Sequence, residues 1–432
     1  MIRRLRPALI PGFAAAASLS AGLAPSLLDY GRFQPLDWLV PAFLAFAVMT
    51  LVAARGGCRP GLFQLTLYAA LAVLPPLLVV RLAASVMPWA GIGLFVLLLG
   101  LAALLLILSL ARRPLWRWTA LAFGLALLVL ARLFVPALDR PFTAAPGPRL
   151  GIMTALPLFM ADHASGDVLH GVGARAPVVR GLGPALPVAP VDVLDAATLR
   201  GFQRLLLSQP RLLSPAELVT LDQWVRDGGT VTILADPLLR WPDERSSTDQ
   251  RRPPLTSLLD PLLMHWGLTL EPASIDPDQA VERRLLSGGA MLHLAGVSRF
   301  TLASDAPCAL AEKGLIAYCR IGKGRAVLIA DADWIDDRLW TLTPERPHDV
   351  RGWTSDALPM LSHLIEGRQA PLRPHGAWLV SQDALISGLR WGFGLVLLLA
   401  VMFARFVPLP MSSQIPGHVR ERHKEPPPHD ST

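Results

Sequence analysis

Long apolar segments set the limits on what this chain can fold into. Four strong ones lie in the first third of the sequence, each close to the ~20 residues that a helix needs to cross the hydrocarbon core of a bilayer. They cover residues 38–54, 62–80, 87–110 and 115–135, and a further strong segment covers residues 384–406. The sequence therefore predicts an α-helical membrane region split between the two ends of the chain.

A weaker apolar segment, residues 8–28, leaves two interpretations open. It could be a cleaved signal peptide, because Arg3, Arg4 and Arg6 precede it and residues 21–24 offer a small-residue cleavage site. It could instead be a first span. With six spans and a cytoplasmic N-terminus, twelve basic residues near the membrane face the cytoplasm and four face outward, which fits the positive-inside rule.

We therefore predict about six spans in a bacterial inner (cytoplasmic) membrane, with both termini cytoplasmic and the middle of the chain periplasmic. The predicted regions are 1–135 with five membrane helices, 145–375 as a soluble domain, 384–407 as a last membrane helix, and 408–432 as a disordered cytoplasmic tail. Between residues 136 and 383 there are 24 Lys and Arg against 28 Asp and Glu, although the whole chain carries +7. The basic excess thus belongs to the membrane flanks, and the sequence gives no sign of nucleic-acid binding.

The soluble segment alternates short apolar runs with helical patterns. Strands are predicted at 150–154, 205–208, 230–235, 291–302, 308–320 and 325–330, and helices at 214–227, 256–266 and 354–366. Strands and helices in alternation with short connections predict parallel βαβ units and a doubly wound α/β sheet. The hairpin region between about 290 and 325 is predicted as an antiparallel insertion or edge.

Two cysteines of the soluble segment bear on whether it lies in an oxidising compartment. If Lys313 and Gly314 form a two-residue turn, Cys308 lies directly opposite Cys319, within reach of a disulfide. A disulfide requires an oxidising compartment and would agree with a periplasmic domain. The alternative is two free cysteines in the core, since unpaired cysteine buries readily.

The segment 205–237 carries a resemblance to known proteins. It runs from a strand through Leu213-Ser-Pro-Ala-Glu217 and a helix to Gly228-Gly229, then through a second strand to Asp236-Pro237. This pattern, over about a tenth of the chain, resembles bacterial gliding-motility-type ABC-transporter auxiliary proteins. It is similar also to uncharacterised bacterial membrane proteins whose periplasmic domain resembles class I glutamine amidotransferases. The resemblance implies a flavodoxin/amidotransferase-like fold.

The amidotransferase resemblance also implies a cysteine nucleophile at a sharp turn after a strand. The matching positions here read Ser208-Gln209 and Ala235-Asp236, without a cysteine, and no Gly-x-Ser-x-Gly elbow is present in the sequence. We therefore predict that the protein is not an enzyme and uses no cofactor.

Acidic residues nevertheless follow two of the predicted strands. Asp236, Asp331 and Asp333 lie at carboxyl ends of strands, where open α/β sheets bind ligands, and could hold Mg²⁺ or Ca²⁺. Thr154 and Gln209 end two further strands and complete the candidate ligand-binding set. The alternative is that the carboxylates cap turns and helices, and we commit to no metal site.

Three functions compete. The leading hypothesis is a non-catalytic membrane-anchored binding or scaffold subunit, auxiliary to an ABC-type transporter or another envelope complex, with a permease, an ATPase or other envelope proteins as partners. The second is an envelope hydrolase or metal-dependent enzyme that uses the strand-end carboxylates with a base such as His163. The third is a transporter in its own right, which is disfavoured because the spans hold no charged residue near their middle.

Overall fold

The computed structural model describes most of the chain. The described residues are 2–28, 31–55, 61–110, 114–134, 143, 145–159, 175–183, 186–243, 245–246, 249, 251–272, 281–296 and 298–406. The predicted disordered tail at 408–432 and His163 lie outside them.

Helices make up the membrane region and flank the soluble sheet. In chain order they are α1 Ile2–Leu28, α2 Leu39–Arg55, α3 Leu62–Ala83, α4 Trp89–Leu110, α5 Pro114–Phe134, α6 Pro177–Gly181, α7 Ala196–Leu199, α8 Pro215–Arg226, α9 Asp260–His265, α10 Asp337–Trp340, α11 Ala357–Ile365 and α12 Gln382–Phe406.

Several of these helices are long and apolar, as predicted. Among the described residues, five helical stretches are long and apolar enough to cross a membrane: Ile10–Leu28, Pro35–Ala54, Leu62–Ala83, Trp89–Leu108 and Gln382–Phe403. These helices indicate association with a membrane. The remaining predicted span corresponds to α5, whose described apolar stretch is shorter, Leu121–Ala131.

Helix α12 packs closely on α3 through two glycines one turn apart. A Cβ atom on Gly392 would lie 2.8 Å from Val79 Cγ2, and one on Gly388 would lie 3.3 Å from the Val79 carbonyl oxygen. Small residues four positions apart let two membrane helices approach each other in this way. The last helix is therefore fixed against the N-terminal bundle, although about 300 residues separate the two in sequence.

Strands lie in the soluble region and at its junction with the bundle. In chain order they are β1 Arg32–Phe33, β2 Leu150–Thr154, β3 Val188–Pro190, β4 Arg204–Ser208, β5 Thr230–Leu234, β6 Leu268–Pro272, β7 Glu282–Leu285, β8 Met291–Leu294, β9 Ser298–Leu302, β10 Cys308–Ala311, β11 Ile316–Ile321, β12 Gly324–Ile329 and β13 Ala377–Trp378.

The central sheet is mixed. In the described part of the chain its strand order is β10-β11-β12-β5-β4-β2-β3, with β12, β5, β4, β2 and β3 parallel and with β10 and β11 antiparallel at one edge. The pairs β6–β9, β7–β8 and β1–β13 form separate antiparallel ribbons. The predicted combination of parallel strands with an antiparallel edge is confirmed.

Apolar side chains cover both faces of this sheet. One face carries Ile152, Leu206 and Ile329 against a layer that includes α11, and the other carries Leu207 and Ile233 against a layer that includes α8. Strands that are buried on both faces consist of largely continuous apolar residues, and this pattern allowed β4 and β5 to be predicted from the sequence.

Residues close together in the sequence determine where the helix of the β4–α8–β5 unit begins and ends. The Ser214 hydroxyl accepts a hydrogen bond from the Glu217 amide, and the Glu217 carboxylate accepts one from the Ser214 amide, so the helix begins with a capping box. Gly228, with φ of +124°, follows the last turn in a conformation that favours glycine. The predicted boundaries at 214–227 and 230–235 agree with the structure to within one residue.

Three predicted elements differ from the structure, and one of them, the helix predicted at 354–366, begins only at Ala357. The predicted strand 291–302 is divided into β8 and β9, because Gly296 has φ of +74° and breaks the extended backbone. The predicted helix 256–266 begins only at Asp260, with Pro261 in its first turn, where a missing N–H costs nothing.

The predicted hairpin register is confirmed. Cys308 lies opposite Cys319 in the pairing of β10 with β11, their Cα atoms are 4.0 Å apart, and the sulfur atoms are within disulfide distance. Lys313 takes φ of +59° in the turn between the strands. The bond fastens the edge strand β10 to the rest of the sheet.

We expect replacement of Cys308 and Cys319 by Ala to lower the free energy of unfolding of the domain by about 2–3 kcal/mol, because the cross-link restricts the unfolded chain. Thermal unfolding of the full-length protein in detergent, followed by tryptophan fluorescence, measures the change.

Thiol trapping in intact cells tests whether the bond exists there. With N-ethylmaleimide added at harvest, Cys308 and Cys319 should be labelled only after reduction, whereas Cys58, in a predicted cytoplasmic loop, should be labelled at once. Labelling of all three without reduction would exclude the disulfide and count against an oxidising compartment.

Candidate functional site

The candidate site lies along the carboxyl ends of the parallel strands β2, β4, β5 and β12. At the end of β2, the Thr154 hydroxyl donates a hydrogen bond of 2.7 Å to the Ser208 carbonyl oxygen at the end of β4. The same hydroxyl accepts one of 2.9 Å from the Leu156 amide. Thr154 therefore ties two strand ends together and orders the turn that follows β2.

Gln209 makes the same kind of connection between β4 and β5. Its backbone has φ of +43°, a rare value for a residue with a side chain, and the residue is fully buried. The amide oxygen accepts a hydrogen bond from the Asp236 N–H, and the amide nitrogen donates to the Asp236 and Pro254 carbonyl oxygens. Three hydrogen bonds of the Gln209 side chain thus stabilise this strained backbone conformation.

Asp236, Asp331 and Asp333, which we call the aspartate cluster, come together as the sequence suggested. One carboxylate oxygen from each lies within 4.8 Å of the others, and all three residues are buried. Asp236 follows β5 and the other two follow β12, the neighbouring parallel strand, so strand pairing alone places them side by side.

Backbone N–H groups surround two members of the cluster. Asp236 accepts hydrogen bonds from the amides of Leu238 and Ala332, and Asp331 accepts from Asp333, Trp334 and Ala295. These carboxylates therefore cap turns, which is the alternative to ligand binding that the sequence left open. The hydrogen bonds offset part of the free-energy cost of burying a carboxylate.

Asp333 is less completely satisfied. Its Oδ2 atom accepts a hydrogen bond of 2.8 Å from the Arg240 amide, whereas its buried Oδ1 atom has no hydrogen-bond partner among the described residues. An unpaired buried acceptor is costly, so a proton shared with the neighbouring Asp236 carboxyl group, or a cation, would stabilise this oxygen.

Burial shifts all three carboxyl groups toward the protonated form. It raises the pKa of Asp236 to about 6 and, together with the charge of Asp236, that of Asp333 to about 8. Burial and the charges of both neighbours raise the pKa of Asp331 well above its ordinary range. The cluster can therefore take up protons near neutral pH or bind a cation that replaces them.

A further buried carboxylate, missed by the sequence analysis, lies at the junction with the membrane helices. Asp356, at the start of α11, is fully buried and accepts hydrogen bonds from the Met291 and His375 amides and from the Trp378 indole N–H. Burial raises its pKa to about 6. The sequence predicted a helix over 354–366 but no role for Asp356, because its hydrogen-bond partners lie far away in the chain.

Comparison with known proteins adds little to this geometry. No family model and no curated protein matches the sequence. Solved structures that match include a β-galactosidase from Rahnella, with 15% identity over 50% of this chain and a TM-score of 0.27. An exo-β-1,4-mannosidase from an Opitutaceae bacterium matches with 12% identity over 51% of this chain and a TM-score of 0.25. A β-galactosidase from Bacillus circulans matches with 12% identity over 50% and a TM-score of 0.26.

The prediction that the chain is not an enzyme finds no support in this comparison, because these three structures are glycoside hydrolases. The matches cover only 33%, 37% and 32% of the length of those enzymes. At these TM-scores they transfer no fold, activity or substrate to this chain.

The aspartate cluster predicts an unusual pH dependence of stability. Because the folded pKa values are raised above the ordinary aspartate value near 4, the folded state binds protons more tightly than the unfolded chain. This contribution to stability is fully present below pH 4 and is lost as the pH rises through about 6 and 8. Asparagine does not titrate, so Asp333→Asn removes the part of this loss that is due to Asp333. In the presence of a chelator, we expect the unfolding free energy to fall between pH 5 and pH 8 by about 1–3 kcal/mol less in Asp333→Asn than in the wild type.

Chemical unfolding of the full-length protein at both pH values measures this difference. Asp305→Asn, an Asp-to-Asn change on the exposed surface, serves as the matched control and should follow the wild type. An Asp333→Asn variant whose change in unfolding free energy between the two pH values equals that of the wild type would show that Asp333 does not hold an extra proton.

Proposed function

We propose that this chain is a six-span protein of the bacterial inner membrane, with both termini cytoplasmic and a periplasmic α/β domain. In this proposal it is a binding subunit, auxiliary to an ABC-type transporter or to another envelope complex. The membrane helices anchor the domain, and the carboxyl edge of the sheet is the surface that meets a ligand or a partner.

The main support for this proposal is the set of contacts at the junction between the domain and the helices. The Trp378 indole donates to Asp356 over 2.7 Å, the Ser85 amide donates to the Trp378 carbonyl oxygen over 2.7 Å, and β13 pairs with β1. The Arg32 guanidinium lies 5.9 Å from the centre of the Trp378 ring and donates to the Val350 carbonyl oxygen. A domain held by this many bonds is mounted in a fixed orientation, as a subunit of a complex requires.

The same contacts support the proposed topology. The connection between α1 and α2 supplies Arg32, the connection between α3 and α4 supplies Ser85, and α12 begins just after Trp378. All three meet the domain on one side of the bundle, which agrees with helices that cross the bilayer alternately in the proposed order.

Strand order supports the flavodoxin/amidotransferase-like fold. When the parallel strands β2, β3, β4, β5 and β12 are numbered 1 to 5, their order in the sheet is 2-1-3-4-5, that of flavodoxin-like proteins. The segment that resembles the transporter auxiliary proteins forms β4, α8 and β5 at the centre of this sheet.

We expect the full-length protein, tagged at its C-terminus and extracted in mild detergent, to elute with a second membrane subunit at a constant ratio through two chromatographic steps. The reason is that a subunit of a complex buries part of its helix surface against a partner. Mass spectrometry of the eluate identifies the partner and its ratio to the tagged chain.

An unrelated tagged membrane protein, purified in the same way, must not carry the same subunit. A homogeneous species that contains only this chain would contradict the proposal.

A second candidate function is that of a cation-dependent enzyme acting on an envelope substrate. It is favoured by the aspartate cluster, in which three carboxylates lie within 4.8 Å of one another and the buried Asp333 Oδ1 atom receives no N–H donor from the described residues. Carboxylate oxygens are the ligands that Mg²⁺ and Ca²⁺ prefer.

If a divalent cation binds there, Mg²⁺ or Ca²⁺ at a hundred times its dissociation constant should raise the midpoint of thermal unfolding by roughly 5–10 °C at pH 8. The double variant Asp331→Asn/Asp333→Asn should not respond, because it lacks two of the three carboxylates. Equal responses of the variant and the wild type would exclude a cation at the aspartate cluster.

A further inference from the structure

Strand β8 lies between the aspartate cluster and the membrane junction. It spans Met291–Leu294, about 13 Å of extended chain, and among the described residues it pairs with one other strand, β7. Among the described residues the central sheet does not hold β8 through backbone pairing. Its side chains Leu292 and Leu294 are buried in the core, and further hydrogen bonds hold its two ends.

Asp356 holds the first end. The Met291 amide donates a hydrogen bond of 2.9 Å to the Asp356 carboxylate, and the Asp356 amide donates one of 2.7 Å to the Met291 carbonyl oxygen. Both residues are fully buried, so water cannot replace either bond without opening the structure.

Asp331 holds the second end. The amide of Ala295, the residue after β8, donates a hydrogen bond of 3.0 Å to Asp331 Oδ2. The other oxygen of Asp331 is bound by the amides of Asp333 and Trp334, which fixes the carboxylate within the aspartate cluster.

The same Asp356 carboxylate binds the segment that leads into α12. It accepts hydrogen bonds from the His375 amide and the Trp378 indole, and α12 begins at Gln382. Arg283 of β7 adds a second connection, since it donates to the Leu379 carbonyl oxygen over 3.3 Å. A continuous set of buried bonds thus runs from the last membrane helix to the cluster.

We propose that β8 is a mechanical link through which the position of membrane helix α12 and the state of the aspartate cluster affect each other. A movement of α12 shifts Asp356 and with it Met291, and an extended strand passes that shift to Ala295 and Asp331. Because coupling between two sites is reciprocal, a change that weakens the cluster also loosens the segment before α12. The link is independent of which ligand or partner the domain binds.

Hydrogen–deuterium exchange of the full-length protein in lipid nanodiscs, resolved to single amides by fragmentation, tests this link. Trp378→Phe removes one hydrogen bond to Asp356 and keeps an aromatic ring. We expect exchange at the Ala295 amide, at the far end of β8, to become roughly fivefold faster, the factor given by the loss of one typical hydrogen bond.

The reverse variant is Asp331→Asn, whose side-chain N–H₂ can face the Ala295 amide but cannot accept from it. We expect exchange at the His375 amide to become faster by a similar factor. This arm remains informative if Trp378→Phe does not fold.

Trp266→Phe is the matched control, because Trp266 is also buried and also donates its indole N–H to a carboxylate, that of Asp222, away from the junction. It should leave Ala295 and His375 unchanged. Each variant loosening only its own end of β8 would overturn the proposal, and so would faster exchange that extends to the β4 amides, because that result indicates general destabilisation.

Discussion

A carboxylate taken out of water needs either donors or a cation, and this constraint organises the domain. Asp236, Asp331 and Asp356 each obtain backbone or indole N–H donors from segments distant in sequence. The bonds that satisfy these groups are also the bonds that fix β8, the turns after β5 and β12, and the segment before α12. Removing one carboxylate therefore affects the placement of whole elements and not only a local turn.

Much of the central sheet was predictable because its signals are local. Ser214 and Glu217 stand three residues apart and fix the start of α8, and the apolar run of β5 follows a pair of glycines. The pairing of Cys308 with Cys319 follows from counting outward from one turn, since an antiparallel register is set by the turn that closes it.

The junction was not predictable because its partners are far apart in the chain. Asp356 binds Met291, which lies 65 residues away, and Trp378, which lies 22 residues away. Nothing in the pattern around any one of these residues indicates the others. The division of β8 from β9 depends on the positive φ of Gly296, which a strand-like run of apolar residues concealed.

The order of the chain has a consequence for assembly. Strand β13 and helix α12 leave the ribosome after all the elements that they connect, so the Asp356 carboxylate lacks its indole donor throughout synthesis of the sheet. The contacts that hold the sheet against the helices, the indole bond of Trp378 to Asp356 among them, can therefore form only after Trp378 has been synthesised.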